Sequence, residues 1–201
     1  MLSSIHPLGE RVRGNRFWLT AAAFIVGSVL GGATLGAVLG SLGGMVRLLL
    51  PWSARAALAL LAVGALVALA SDLRLGPVRL PTSRRQVDED WLDRYRGWVY
   101  GLGFGFQLGF GFLTIVTTGA VHLTFLAALL AGSARTGLVI GAVFGLGRGV
   151  ALLPASAVRT PERLVALHRR VAGIDGPARV ATVAGLAIVA IVLGGASTGV
   201  Q

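Results

Sequence analysis

Cysteine is absent from the 201 residues, and so is lysine. The first absence excludes disulfides, thiolate metal ligands and any thiol relay carried by this chain. Charge of either sign is scarce: Asp, Glu and Arg make up 13% of the residues, against roughly a quarter in an ordinary soluble domain. Histidine occurs three times, at His6, His122 and His168. Two of these lie outside the apolar runs, so no convergent ligand set exists and neither a metal nor a cofactor is expected. No Ser-His-Asp order, phosphate loop or pair of acids is present. The glycine-rich strings GLGFGF and GLGRG sit inside apolar runs rather than after a soluble strand, which removes a nucleotide reading. The chain reads as a non-enzyme.

What remains is apolar. Hydrophobic residues make up 55% of the chain and the mean hydropathy is +0.80, the composition of an all-α, polytopic membrane helix bundle. All 18 basic residues are arginines and the net charge is +10. They collect between the apolar runs, the pattern of topology determinants and anionic-lipid contacts rather than of nucleic-acid binding. The lipid bilayer is the first partner implied, with a membrane-protein partner or a homo-oligomer as the second. A cytoplasmic N-terminal segment, 1–16, precedes a single membrane domain, 17–201.

Phe17 to Val46 contains 30 residues without a charge, too long for the apolar core of a cleaved signal, so it reads as a retained first span. Gly32, Gly36, Gly40 and Gly44 recur every four residues within it, with Gly27 and Gly31 opening a second series. Such a face lets two helices approach closely in lipid. A second span covers about 56–70. The loop from Asp72 to Gly97 carries six arginines and five acids. Its second half, with Thr82 or Ser83 as N-cap and Trp91, Tyr95 and Trp98 on one side, predicts an interfacial helix. A longer stretch, 98–133, has no Arg, Asp or Glu; its glycines at 101, 103, 105, 109 and 111 weaken a helix and predict a break or re-entry. Span 137–153 repeats the ladder with Gly137, Gly141, Gly145 and Gly149. Thr160 as N-cap, Pro161 at the first position and Gly173 as terminator predict a short surface helix before a last span over about 178–193.

Counting 98–133 as one crossing gives five in all. With the N-terminus in the cytoplasm of a cell-membrane protein, thirteen of these arginines then lie inside against Arg47, Arg55 and Arg135 outside, as the positive-inside rule requires. A full hairpin there would give six crossings and a poorer asymmetry. Inside that stretch Gln107, Gly111, Thr114, Thr118 and His122 follow at spacings of four, three, four and four, one polar face if the segment is helical. They are candidates for a substrate path with His122 as its titrating group. The competing reading is local: threonines bonded to their own helix and His122 to one neighbour.

In the order of these features the chain resembles the membrane domain of the CcdA and DsbD type, the cytochrome c biogenesis and thiol-disulfide electron carriers, over about residues 20–155. FIVGSVLGGATLGAVLG resembles that family's second helix and LPWSARAALALLAVGALVALASD its third. GFGFQLGFGF resembles the approach to its fourth helix, where the family has a Leu-Gly-Trp-Thr-Pro-Cys pattern. Leu108 and Gly109 match it, while Phe110, Gly111, Phe112 and Leu113 stand where the aromatic, Thr, Pro and reactive Cys would be. LLAGSARTGLVIGAVFGLGRGVALL is similar to the fifth helix. The resemblance implies that the first helix, with the other cysteine, is missing, and that electron transfer carries over to no residue here. What it leaves is architecture, in a plan of broken helices also used for small-solute transport. A carrier-like protein is therefore expected, with a non-catalytic assembly or scaffold subunit as the alternative.

Overall fold

A computed structural model describes residues 5–75, 91–111 and 118–199. The described residues form eight α-helices: α1 (Pro7–Val12), α2 (Phe17–Leu49), α3 (Ala54–Asp72), α4 (Trp91–Arg94), α5 (Gly97–Phe110), α6 (Gly119–Leu130), α7 (Ala134–Val150) and α8 (Pro161–Gly199), with a 3-10 turn at Leu153–Ala157. Four helical stretches are long and apolar enough to cross a membrane: Phe17–Leu49, Ala54–Asp72, Ala134–Ala157 and Gly176–Ser197. Exposed Val26, Leu30, Val38, Leu42, Val63, Leu66, Val139, Val143, Ile188 and Ile191 clothe their outer faces, as a polytopic bundle in lipid requires.

The bundle is organised around α2. Its 33 residues span about 50 Å, beyond the roughly 30 Å of a hydrocarbon layer. On one flank Gly32 meets Gly141 and Gly36 meets Gly137, rising numbers against falling, so α7 runs antiparallel. A methyl group placed on Gly36 would come within 2.0 Å of the Gly137 carbonyl oxygen, and one on Gly141 within 2.0 Å of that of Gly32. Backbone therefore packs on backbone, with no room for a side chain. On the other flank Thr20 meets Gly101, Phe24 meets Gly105 and Ser28 meets Gly109. Here numbers rise together and α5 is parallel to α2. Ser28, fully buried where the three helices converge, donates its hydroxyl to the Gly145 carbonyl at 2.6 Å. Because lipid supplies no hydrophobic drive between helices, this close van der Waals fit and its few polar bonds hold the bundle together.

The second half of α2 meets α6 instead. Leu35 clusters with Val121 and Phe125, and Gly43 lies against Leu129. So α5 and α6, the described parts of the stretch from 97 to 130, follow one another along α2 in the same direction. Among the described residues, α5 and α6 thus lie in line beside the four long apolar stretches. The break falls at Gly111, whose φ of 76° ends α5. This conformation costs an L-residue but not glycine. The expectation that all five glycines weaken this helix needs correction: Gly101, Gly105 and Gly109 are packing positions, and only Gly111 turns the chain.

Two other boundaries differ from the sequence expectation. The aromatic segment is not one helix feeding the next, because α4 ends at Arg94 and α5 starts anew at Gly97. Trp91 stacks inward on Phe104, with ring centroids 6.0 Å apart, whereas Tyr95 and Trp98 are each 49% exposed. Thr82 and Ser83 lie outside the described residues. At the C-terminal end Thr160 does cap α8, accepting from the Arg163 amide at 3.5 Å. The helix then runs on through Gly173, Gly176 and Pro177. Gly173 does not end it, because positive φ among the described glycines occurs only at Gly14, Gly111 and Gly132, and a helix stops at glycine through that left-handed turn.

Candidate functional site

The break between α5 and α6 divides the polar positions. Gln107 is half-buried on α5, while Thr118 precedes α6 and His122 is half-buried on it; Thr114 lies outside the described residues. A single helical face through 107, 111, 118 and 122 is not formed, because Gly111 interrupts the 3.6-residue period. Thr124 donates to the Ala120 carbonyl at 2.9 Å, the local bond open to a threonine in an apolar helix. Across the break the chain is pinned by α3. The Asp72 carboxylate accepts the Gly119 amide at 2.8 Å, supplying the cap that Thr118 does not give α6. Arg179 of α8 donates to the carbonyl oxygen of the same Asp72, so three helices meet there.

Arg148 stands in the last turn of α7, its guanidinium 5.5 Å from the centre of the Phe144 ring. Phe144 in turn meets the Phe125 ring edge-on at 5.8 Å, and Phe125 packs against Gly111. An aromatic path thus links α7 to the break.

A second polar cluster closes the end of the bundle where α2 and α5 begin. Glu10 of α1 is 0% exposed. Its Oε2 accepts from Thr20 Oγ1 at 2.7 Å; its Oε1 accepts from Arg13 Nη2 at 2.9 Å and from the Tyr100 hydroxyl. Asn15 Nδ2 donates to the Tyr100 oxygen at 3.3 Å, and Asn15 Oδ1 accepts the Gly97 amide at 3.2 Å. Burial, the largest influence on Arg13, opposes its charge; hydrogen bonding and charge from Glu10 and Tyr100 together outweigh it and raise its pKa above the ordinary value. His6 caps α1 by accepting the Gly9 amide on Nδ1 at 3.1 Å, and Leu8 bonds the Val158 carbonyl. Ile5, Phe17, Ala21, Phe24, Tyr100, Phe104, Leu152 and Ala155 pack around the cluster. Residues 5–15 are therefore built into the bundle rather than trailing from it. The sequence offers one signal for this: Glu10 is the only acidic residue before Asp72, placed among arginines beside a span.

The described helices, wound around a glycine-lined central helix with a broken helix beside it, define a polytopic helical membrane protein. The family described as cytochrome C biogenesis protein transmembrane region matches residues 2–196, and the chain belongs to that family. Within it, the chain is similar to the methylamine utilization protein MauF. It is 34% identical to that of Paracoccus versutus over 94% of this chain and 71% of the relative. To that of Paracoccus denitrificans it is 33% identical over 95% of this chain and 70% of the relative. The MauF of Methylobacillus flagellatus is 31% identical over 87% of this chain and 63% of its own length. No solved structure matches.

Proposed function

We propose that this chain is a non-catalytic accessory protein of the cell membrane that supports methylamine utilization, with residues 1–16 in the cytoplasm. The observation that carries the accessory reading is the closure of α2 by backbone contact on both flanks, from Thr20 to Gly43. The interior along α2 is given to packing, and no thiol in these 201 residues could relay electrons. The pathway is taken from the relatives, whose similarity extends over nearly the whole chain. The orientation rests on the arginines. Arg47, Arg55 and Arg135 lie in or beside the α2–α3 and α6–α7 connections, whereas Arg11, Arg13, Arg16, Arg94, Arg96, Arg159 and Arg163 gather at the opposite end, which the positive-inside rule assigns to the cytoplasm. The partner on this reading is another membrane protein or a second copy of the chain. Expression in Paracoccus denitrificans lacking its own MauF tests it: growth on methylamine should return. No growth, with the chain inserted in the membrane, would overturn it.

The helix break supports a second reading, a small-solute carrier with Gln107, Thr114, Thr118 and His122 along its path. Broken helices beside half-buried polar side chains are the usual setting of a carrier site. The same growth assay separates the two readings. His122→Ala and Gln107→Ala should leave an accessory protein working and should abolish a carrier.

A further inference from the structure

The polar cluster at the N-terminal end also fixes what stands outside it. The bond from the Gly97 amide to the Asn15 side chain at 3.2 Å stitches the start of α2 to the start of α5. Arg16 follows Asn15 and Arg96 precedes Gly97, so the bond brings the two segments that carry these exposed arginines together at one end of the bundle. Two cationic side chains on neighbouring segments of one rim attract an anion that can reach both. Glu10, which could have met them, is turned inward and occupied by Arg13, Thr20 and Tyr100. The same two segments carry Trp18, 63% exposed, and Tyr95 and Trp98, residue types that settle at headgroup depth. Arg94 is exposed on the same rim.

We propose that Arg16 and Arg96 form a docking site for the phosphodiester headgroup of an anionic phospholipid, with Trp18, Tyr95 and Trp98 against the upper part of its chains. Guanidinium groups suit a phosphate because each can offer two parallel N–H donors. The aromatic neighbours favour a lipid over a free anion, since their exposed faces need an apolar partner that a small anion lacks.

The test is native mass spectrometry of the protein released from bilayers of phosphatidylcholine mixed with phosphatidylglycerol. Retention of phosphatidylglycerol in preference to phosphatidylcholine is expected. Arg16→Gln and Arg96→Gln should each weaken it about five-fold. Arg16→Lys with Arg96→Lys should keep most of it, and Arg55→Gln with Arg135→Gln, at the opposite end, should leave it unchanged. Both sites are exposed, so the glutamine variants should melt like the parent in phosphatidylcholine alone, which separates lost binding from lost folding. Equal retention of the two lipids, unchanged retention in the double glutamine variant, or displacement of the lipid by inorganic phosphate would each overturn the proposal.

Discussion

Two regions of this protein solve the same problem, holding helices together, by opposite means. Along the middle of α2 the contact is backbone to backbone, and the side chains that would intervene have been reduced to hydrogen atoms. At its N-terminal end the contact is made by side chains: a fully buried carboxylate gathers a guanidinium, a phenol and a threonine hydroxyl from three segments. The difference follows from solvent. Between two lipid-facing helices apolar bulk gains nothing over lipid itself, so proximity is what stabilises. At the end of the bundle the chain must turn, backbone amides and carbonyls are released, and polar groups become useful to meet them.

The comparison breaks most sharply at the seam. Gly36→Leu puts a side chain where a single methyl already lies 2.0 Å from the Gly137 oxygen. Overpacking against rigid backbone should cost about 3 kcal/mol or more, read as loss of a cooperative melt in detergent. The polar end should be less severe. Glu10→Ala removes the acceptor shared by Arg13, Thr20 and Tyr100, but Arg13 is 24% exposed and water can reach it. A loss of about 2 kcal/mol is expected, by thermal unfolding. Gly147 sharpens the contrast within α7, since it lies two residues from Gly145 and meets nothing within 4 Å. Gly147→Ala should stabilise by about 0.5–1 kcal/mol, with a raised melting midpoint, whereas any side chain at Gly145 should destabilise.

Smallest is the effect at Glu162, the exposed counterpart of Glu10. The hydroxyl of Thr160, then the helix's own amide, hold its carboxyl below the usual range. A depressed folded pKa means that the contribution is present above the unfolded value and is lost as pH falls through the folded one. The protection of amides in the first turn of α8, taken relative to the intrinsic exchange rate at each pH, should therefore fall on acidification, and Glu162→Gln should remove that loss.

The lengths and sites of the long apolar runs are visible in the sequence because uncharged stretches such as Phe17–Val46 have no other stable setting. The period of four in Gly32–Gly44 and Gly137–Gly149 is visible too, since a glycine face is a local property of one helix. So is the kinship, through strings such as GFGFQLGFGF. What such strings do not say is which glycines bend and which pack. Gly109 and Gly111 are two residues apart and look alike, yet the first lies against Ser28 and the second turns the chain.

By itself, then, the order of residues determined the class of protein, the long apolar runs and the helix faces made for close approach, because these follow from burial in lipid and from helical periodicity. Only the tertiary structure decided that α2 is shared between α7 and α5, that α6 hangs from Asp72, and that Glu10 is buried beneath Tyr100. Those contacts join residues far apart in the chain, 90 positions for Glu10 and Tyr100. A partner at that distance leaves no mark on the local pattern.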